Sequence, residues 1–215
     1  MEKVAVEKVA VDKVAVDKVA PKESTADRVL VEGARLFREQ GYSAATTREL
    51  AKRLGINKAS LYYYVAKKED LLHRICMVAM DRIYDEVSSA VDSETDPAKR
   101  VKALISSHLH STLTDLDLHA TMMLEMKHLT GRQREEVMEA RDRFEGLVGS
   151  TVAAAQRKGA IRSDMPGNYL RILMLNLLNW PLTWYTPDKG MTPERLSGYT
   201  YDLYMDGASP REGKK

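Results

Sequence analysis

Cysteine is almost missing from the 215 residues, Cys76 being the only one. A disulfide within the chain is excluded, and a reducing compartment, the cytoplasm, is expected. Cys76 falls in the apolar run LLHRICMVAM and reads as a small buried apolar residue rather than a redox group. Long hydrophobic runs are missing too. No stretch reaches the roughly 18 apolar residues of a membrane span, so no membrane partner is expected. Lysines and acids interrupt the N-terminus every few positions, unlike a secretory signal. Phenylalanine is scarce, with two residues against eleven methionines, a balance that suits helical packing. An excess of charge is also lacking, since the net is only +2.

The patterns of catalysis are absent as well. There is no G-x-S-x-G, no P-loop and no cysteine with an implied histidine partner. The histidines are His73, His108, His110, His119 and His128. His108 and His110 stand about 200° apart around a helix and cannot share a metal there. Glu125 and His128 make one E-x-x-H, whereas a di-iron bundle needs two such motifs and further glutamates. No enzyme activity, cofactor or metal is expected. An α-helical enzyme or metal-binding bundle stays as the alternative class, to be told apart by turnover or stoichiometric metal.

What is present centres on residues 46–64, TTRELAKRLGINKASLYYY. The stretch predicts a helix over 47–54, a stop at Gly55, and a second helix over 58–64 capped by Asn57. Leu50, Ala51, Leu54, Ile56 and Leu61 would close the pair. Outward lie Thr46, Thr47, Arg48, Lys58, Ser60, Tyr62, Tyr63 and Tyr64, with no acid on the second helix. Hydroxyls and cations around a tight turn are the surface of a DNA-reading helix-turn-helix. The charge distribution agrees. Residues 22–74 hold eleven Lys/Arg against seven acids, a net of +4, and residues 76–215 carry −2.

Within residues 1–21, residues 2–19 repeat a five-residue unit, EKVAV or DKVAV. Five residues displace each copy by about 140° around a helix, so no lasting apolar face forms, and the segment reads as a disordered tail. Residues 24–40 form the first helix, with Ser24 or Thr25 as cap and Leu30, Gly33, Ala34 and Phe37 as stripe. After Lys67-Lys68 a long helix runs to about Val91 and joins head to body. The body has no strand signal. Helices follow from Pro97, through Met122 to Leu129, over about 132–158, over the apolar run NYLRILMLNLLNWPLTWY, and from Thr192 to about Asp206. The expected divisions are a tail at 1–21, a DNA-binding head at 22–67, a ligand-binding and dimerisation body at 68–208, and a tail at 209–215. The fold class is all-α with about nine helices.

Residues 24–72 resemble the N-terminal domain of the TetR family of transcriptional regulators. The resemblance rests on A-x-x-L-F-x-x-x-G-Y, T-T-x-x-L-A-x-x-L-G-I, S-L-Y-Y-Y and K-K-E-D-L-L, in that order. Val65 stands where the family often has Phe. The resemblance implies that Thr47, Tyr63 and Lys68 hold phosphates, and that Arg48, Lys58, Ala59, Ser60 and Tyr62 face base edges or their flanks. It implies a homodimer on a palindromic double-stranded operator with half-sites about 34 Å apart. It also implies a four-helix interface made by the last two helices and their copies, carried here by Leu173, Leu177, Trp180, Trp184, Leu196, Tyr199 and Leu203. Burial within one subunit remains open for the apolar helix, which is apolar on most sides.

The family further implies an effector pocket. Met122, Met123, Met126, Met138 and Met174 are compatible with lining it, as are Asn176 and Asn179, amides set in the most apolar helix. Core filling explains any single methionine equally well. The block L-N-W-x-x-x-W-Y-x-P-D and the following T-P-E resemble the C-terminal end of a subgroup that controls fatty-acid, sterol or aromatic-acid breakdown. Members of that subgroup tend to answer to acyl-CoA thioesters. Lys99, Arg100, Lys102, Arg141, Arg143, Arg157 and Arg171 are the cations available for such a ligand. The reading is a ligand-responsive repressor released by a small effector.

Overall fold

The computed structural model describes residues 24–187 and 190–208. The tails read at 1–21 and 209–215 lie outside them. Every regular element among the described residues is helical. They are α1 (Thr25–Gln40), α2 (Thr47–Leu54), α3 (Lys58–Tyr64), α4 (Lys68–Asp92), α5 (Pro97–Thr114), α6 (Leu116–Glu125), α7 (Gly131–Arg157), α8 (Gly167–Asn179), α9 (Pro181–Trp184) and α10 (Pro193–Ala208). A 3-10 turn, Met126–His128, follows α6. Since α9 is a single turn, nine longer helices remain, as expected. No helix among the described residues is long and apolar enough to cross a membrane.

The caps read from the sequence set the head. The Ser24 hydroxyl accepts from the Asp27 N–H at 3.1 Å, and Asp27 accepts from the Ser24 N–H at 3.3 Å. Thr46 caps α2 by accepting from the Glu49 N–H, and Asn57 caps α3 by accepting from the Ser60 N–H at 2.7 Å. Gly55 between them has φ 67° and ψ 26°, left-handed geometry that a Cβ disfavours. Arg53 ties α2 to α1 through Glu32 at 3.3 Å and Glu39 at 2.8 Å.

Two apolar cores are threaded by α4. Its first half buries Leu71, Leu72, Ile75 and Cys76 with Leu36, Phe37, Leu50 and Leu61 of the head. Its second half buries Ile83, Val87 and Val91 with α5, α7 and α8. Burial pushes the Cys76 thiol up to about 12, which leaves it protonated and unreactive.

A second bridge between head and body was not expected from the sequence. Helix α6 packs on both α1 and α4. Asp117 accepts from Arg38 at 2.8 Å and from Arg35 at 3.4 Å, and the Thr121 hydroxyl donates to the buried Ala34 carbonyl at 2.8 Å. At the start of α7, Thr130 donates to Glu69 and Gln133 donates to Asp70. The head is thus held by α4 through the chain and by α6 through side chains, while the start of α7 clamps the first turn of α4.

One helix differs from the reading. The run NYLRILMLNLLNWPLTWY is not continuous, because α8 ends at Asn179 and α9 restarts at Pro181. Pro181 has no N–H to give to the preceding turn, and its ring clashes with the carbonyl four residues back. The break leaves α8 with three working sides. Leu170, Met174 and Leu178 enter the core, while Leu173 and Ile172 stay exposed on two other sides.

Candidate nucleic-acid interface and ligand cavity

The caps and the turn between α2 and α3 present one polar face. Thr46, Arg48, Lys58, Ala59, Tyr62 and Tyr63 are exposed, and Thr47, Ser60 and Tyr64 are half-buried. Tyr63 stands farthest out, at 85% exposed, with its ring edge-on to Tyr64. The Lys58 ammonium lies 5.5 Å from the centre of the Tyr62 ring, which holds a cation beside an aromatic hydroxyl. Thr46 accepts through its cap but keeps its O–H free to donate.

Lys68 requires a correction. Its ammonium donates to the carbonyls of Tyr42 at 2.7 Å, Ala45 at 2.9 Å and Ser43 at 3.4 Å, and sits 4.3 Å from the Tyr42 ring centre. Three acceptors use the three N–H bonds of the ammonium, so none is left for a phosphate. Lys68 instead fixes the loop that delivers the chain to α2. The neighbouring Lys67 is exposed; its backbone N–H donates to the Asp70 carboxylate at 3.0 Å and its carbonyl accepts from the Asp70 and Leu71 N–H groups.

Two of the recesses in the body flank α8. The larger, about 530 Å³, is a groove between α8 and α10. Leu173, Leu177, Trp180, Trp184, Leu196 and Leu203 line it, six of the seven residues expected at the dimer interface. Tyr199 is exposed outside its lining. Trp180 is 65% exposed and Leu203 64% exposed, a density of bare apolar surface unusual for a lone subunit.

The smaller recess, about 260 Å³, is lined by residues of α4, α5, α6, α7 and α8 and of the 3-10 turn. Met122, Met123, Met126, Asn176 and Asn179, five of the seven residues read as ligand-lining, line this recess. Met138 and Met174 do not. Met174 points the other way from α8 and is 1% exposed in the core, because its position falls on the buried stripe with Leu170 and Leu178. The sequence reading missed Met80, Ile83, His108, Phe144, Glu145, Ile172 and Leu175, which with Arg141 complete the wall. No local signal told which faces of these helices meet.

The polar groups of this cavity are graded by depth. At the rim, exposed Arg141 bonds Glu145 at 2.9 Å, and Arg171 bonds the same carboxylate. Burial alone would raise the Glu145 pKa, but the two guanidiniums outweigh it and hold the carboxyl below its usual value. Deep inside, His108 is 1% exposed, its ring 5.6 Å from that of Phe144. Burial pushes its pKa down to about 3, with neighbouring His119 adding to the fall and the Asn179 amide opposing it. Neither ring nitrogen of His108 has a partner in hydrogen-bond geometry. Among the described residues no group of three or more His, Cys, Asp or Glu is placed to hold a metal.

The chain is similar to known regulators over nearly its whole length. It is 27% identical over 192 residues to the HTH-type transcriptional repressor KstR2 of Rhodococcus jostii, covering 88% of this chain and 94% of that one. Among solved structures, the TetR family regulator PfmR of Thermus thermophilus matches with a TM-score of 0.78 and 28% identity, over 84% of this chain and 98% of that one. A crystal structure of AibR in complex with isovaleryl coenzyme A and operator DNA shares the fold, with a TM-score of 0.69 and 24% identity over 83% of this chain and 96% of that one. The family of bacterial regulatory proteins of the tetR type matches residues 29–75, and the tetracyclin repressor-like C-terminal domain matches residues 94–208. As the second match alone spans more than half of it, the chain belongs to the TetR family: it is a helix-turn-helix DNA-binding transcriptional regulator, not an enzyme.

Proposed function

We propose that the protein is a cytoplasmic, homodimeric repressor, released from a palindromic operator when an acyl-CoA binds the cavity between α4 and α8. In this reading residues 22–67 are the DNA-binding head and 68–208 the effector-binding and dimerising body. The exposed hydroxyls and cations of α2 and α3 would meet DNA, Lys67 taking the phosphate contact that Lys68 has no donor for. The bare surface of α8 and α10 would meet its own copy, since a two-fold interface needs one self-complementary patch.

The observation that carries the effector is the cavity's gradient, apolar walls within and Arg141 and Arg171 without. At about 260 Å³ it lies just under the roughly 300–1,000 Å³ of drug-sized ligand pockets. That volume suits an acyl group, with the anionic nucleotide remaining at the arginine rim. The likeness to AibR, whose structure holds isovaleryl coenzyme A, supports the same ligand class.

The switch is a population shift. Met122 and Met123 of α6 line the cavity, while Asp117 and Thr121 of the same helix grip α1. A ligand that fits only when α6 has moved favours a state in which the heads leave operator spacing. The test is fluorescence anisotropy on a duplex selected by the protein from a random pool. Acyl-CoAs of graded chain length are expected to dissociate the complex. If none lowers the affinity, the effector class is wrong and DNA binding stands.

A further inference from the structure

We infer that His108, with Asn179 beside it, reads an uncharged oxygen on the buried part of the effector, a carbonyl or a hydroxyl. This rests on the reading of the smaller cavity as the effector site. An imidazole buried to 1% exposure with neither nitrogen partnered is costly, since an unmet buried donor or acceptor forfeits its hydration. Phe144 beside the ring is apolar, and so are Met80, Ile83, Met122 and Met123. The only neutral polar groups on the wall are Asn176 and Asn179.

The protonation state narrows the ligand. A ring held neutral has one N–H donor and one bare acceptor. It can donate to a carbonyl, or donate and accept with a hydroxyl, but it brings no charge to balance a carboxylate. The cations of the site stay at the rim with Glu145. Against a bare hydrocarbon the ring would have only the Asn179 amide beside it, which is not in hydrogen-bond geometry with either nitrogen. His119 is also buried and unpartnered, yet it lies outside the cavity lining and has no access to a ligand there.

The test uses the full-length protein, with 13C in its methionine methyls and 15N in its histidine rings. The probes are acetophenone, 1-phenylethanol, ethylbenzene and phenylacetate, close in shape and different in oxygen. Shifts of the Met80, Met122, Met123 and Met126 methyls report entry. Acetophenone and 1-phenylethanol are expected to move the His108 15N resonances, and ethylbenzene to leave them in place. In His108→Leu the affinity of acetophenone relative to ethylbenzene is expected to fall roughly 3- to 10-fold, the worth of one hydrogen bond. Should that variant fail to fold, the 15N response of the native protein decides alone. Methyl shifts from every probe with no oxygen-dependent 15N shift overturn the inference and leave the cavity as a ligand site. Tightest binding by phenylacetate overturns it too. No methyl shift from any probe overturns the cavity reading and the inference together.

Discussion

Two surfaces of this molecule expose large aromatic residues, and they differ in what accompanies the rings. On α3, Tyr62 and Tyr63 carry hydroxyls and stand among Lys58, Ser60 and Arg48. On α8 and α9, Trp180 and Trp184 stand among Leu173, Leu177 and Leu203. The first surface can trade its water for phosphate oxygens, which accept from hydroxyls and cations alike. The second offers almost no donor, so only another apolar surface improves on water. Exposure alone therefore does not identify a partner. The polar atoms around the exposed rings do.

The largest way to break that contrast is to put a charge on the second surface. Leu173→Asp is expected to leave a monomer in sedimentation, because an unpaired charge buried in an interface costs roughly 3–5 kcal/mol. Operator affinity is expected to fall with it, while circular dichroism stays helical. A dimer that persists would mean that α8 and α10 are not the interface.

Acid separates the regions next. His108 and His119 are the buried imidazoles among the described residues, both in the body, with folded pKa values of about 3 and about 4. The unfolded chain, with histidine near ~6.5, binds more protons below that pH. Stability is therefore flat above pH ~6.5 and falls as pH drops from there towards 4. The slope is up to about 1.4 kcal/mol per pH unit for each ring. Denaturant melts at pH 7 and pH 5 measure it, and hydrogen exchange is expected to quicken in α5 and α6 before α2 and α3.

Two smaller changes sharpen the DNA side. Lys58→Ala is expected to reduce the salt slope of operator binding by about one unit. Lys68→Met is expected to weaken binding with the slope unchanged, because it frees the loop before α2 rather than removing a phosphate contact. A fall in slope for the second variant would restore Lys68 to the DNA. Tyr63→Phe, the mildest, is expected to cost about 0.5–1.5 kcal/mol of operator affinity in anisotropy and nothing in sedimentation.

The head was the more legible half because its determinants are local. Ser24, Thr46, Gly55 and Asn57 act within three or four residues of where they stand, and the helices they bound are those read from them. Lys68 escaped that logic because its acceptors lie 23 to 26 residues back along the chain. The cavity is assembled from five helices, so composition found its methionines on α6 but also proposed Met138 and Met174, which face elsewhere. His108 was visible only as a histidine on a helix. Its lack of partners is a property of the packed body. The break at Pro181 was written in the sequence, and the strength of the surrounding apolar run obscured it.

Asn176 lines both recesses, so a single helix wall separates the groove from the cavity. Whatever seats itself on one side sets the shape available on the other. If the groove seats a second copy and the cavity an effector, as proposed, the two events share a free energy and must change each other by the same factor. An effector titration run at two protein concentrations that straddle the dimer dissociation constant would return two different midpoints. Their displacement measures how rigid that one helix is.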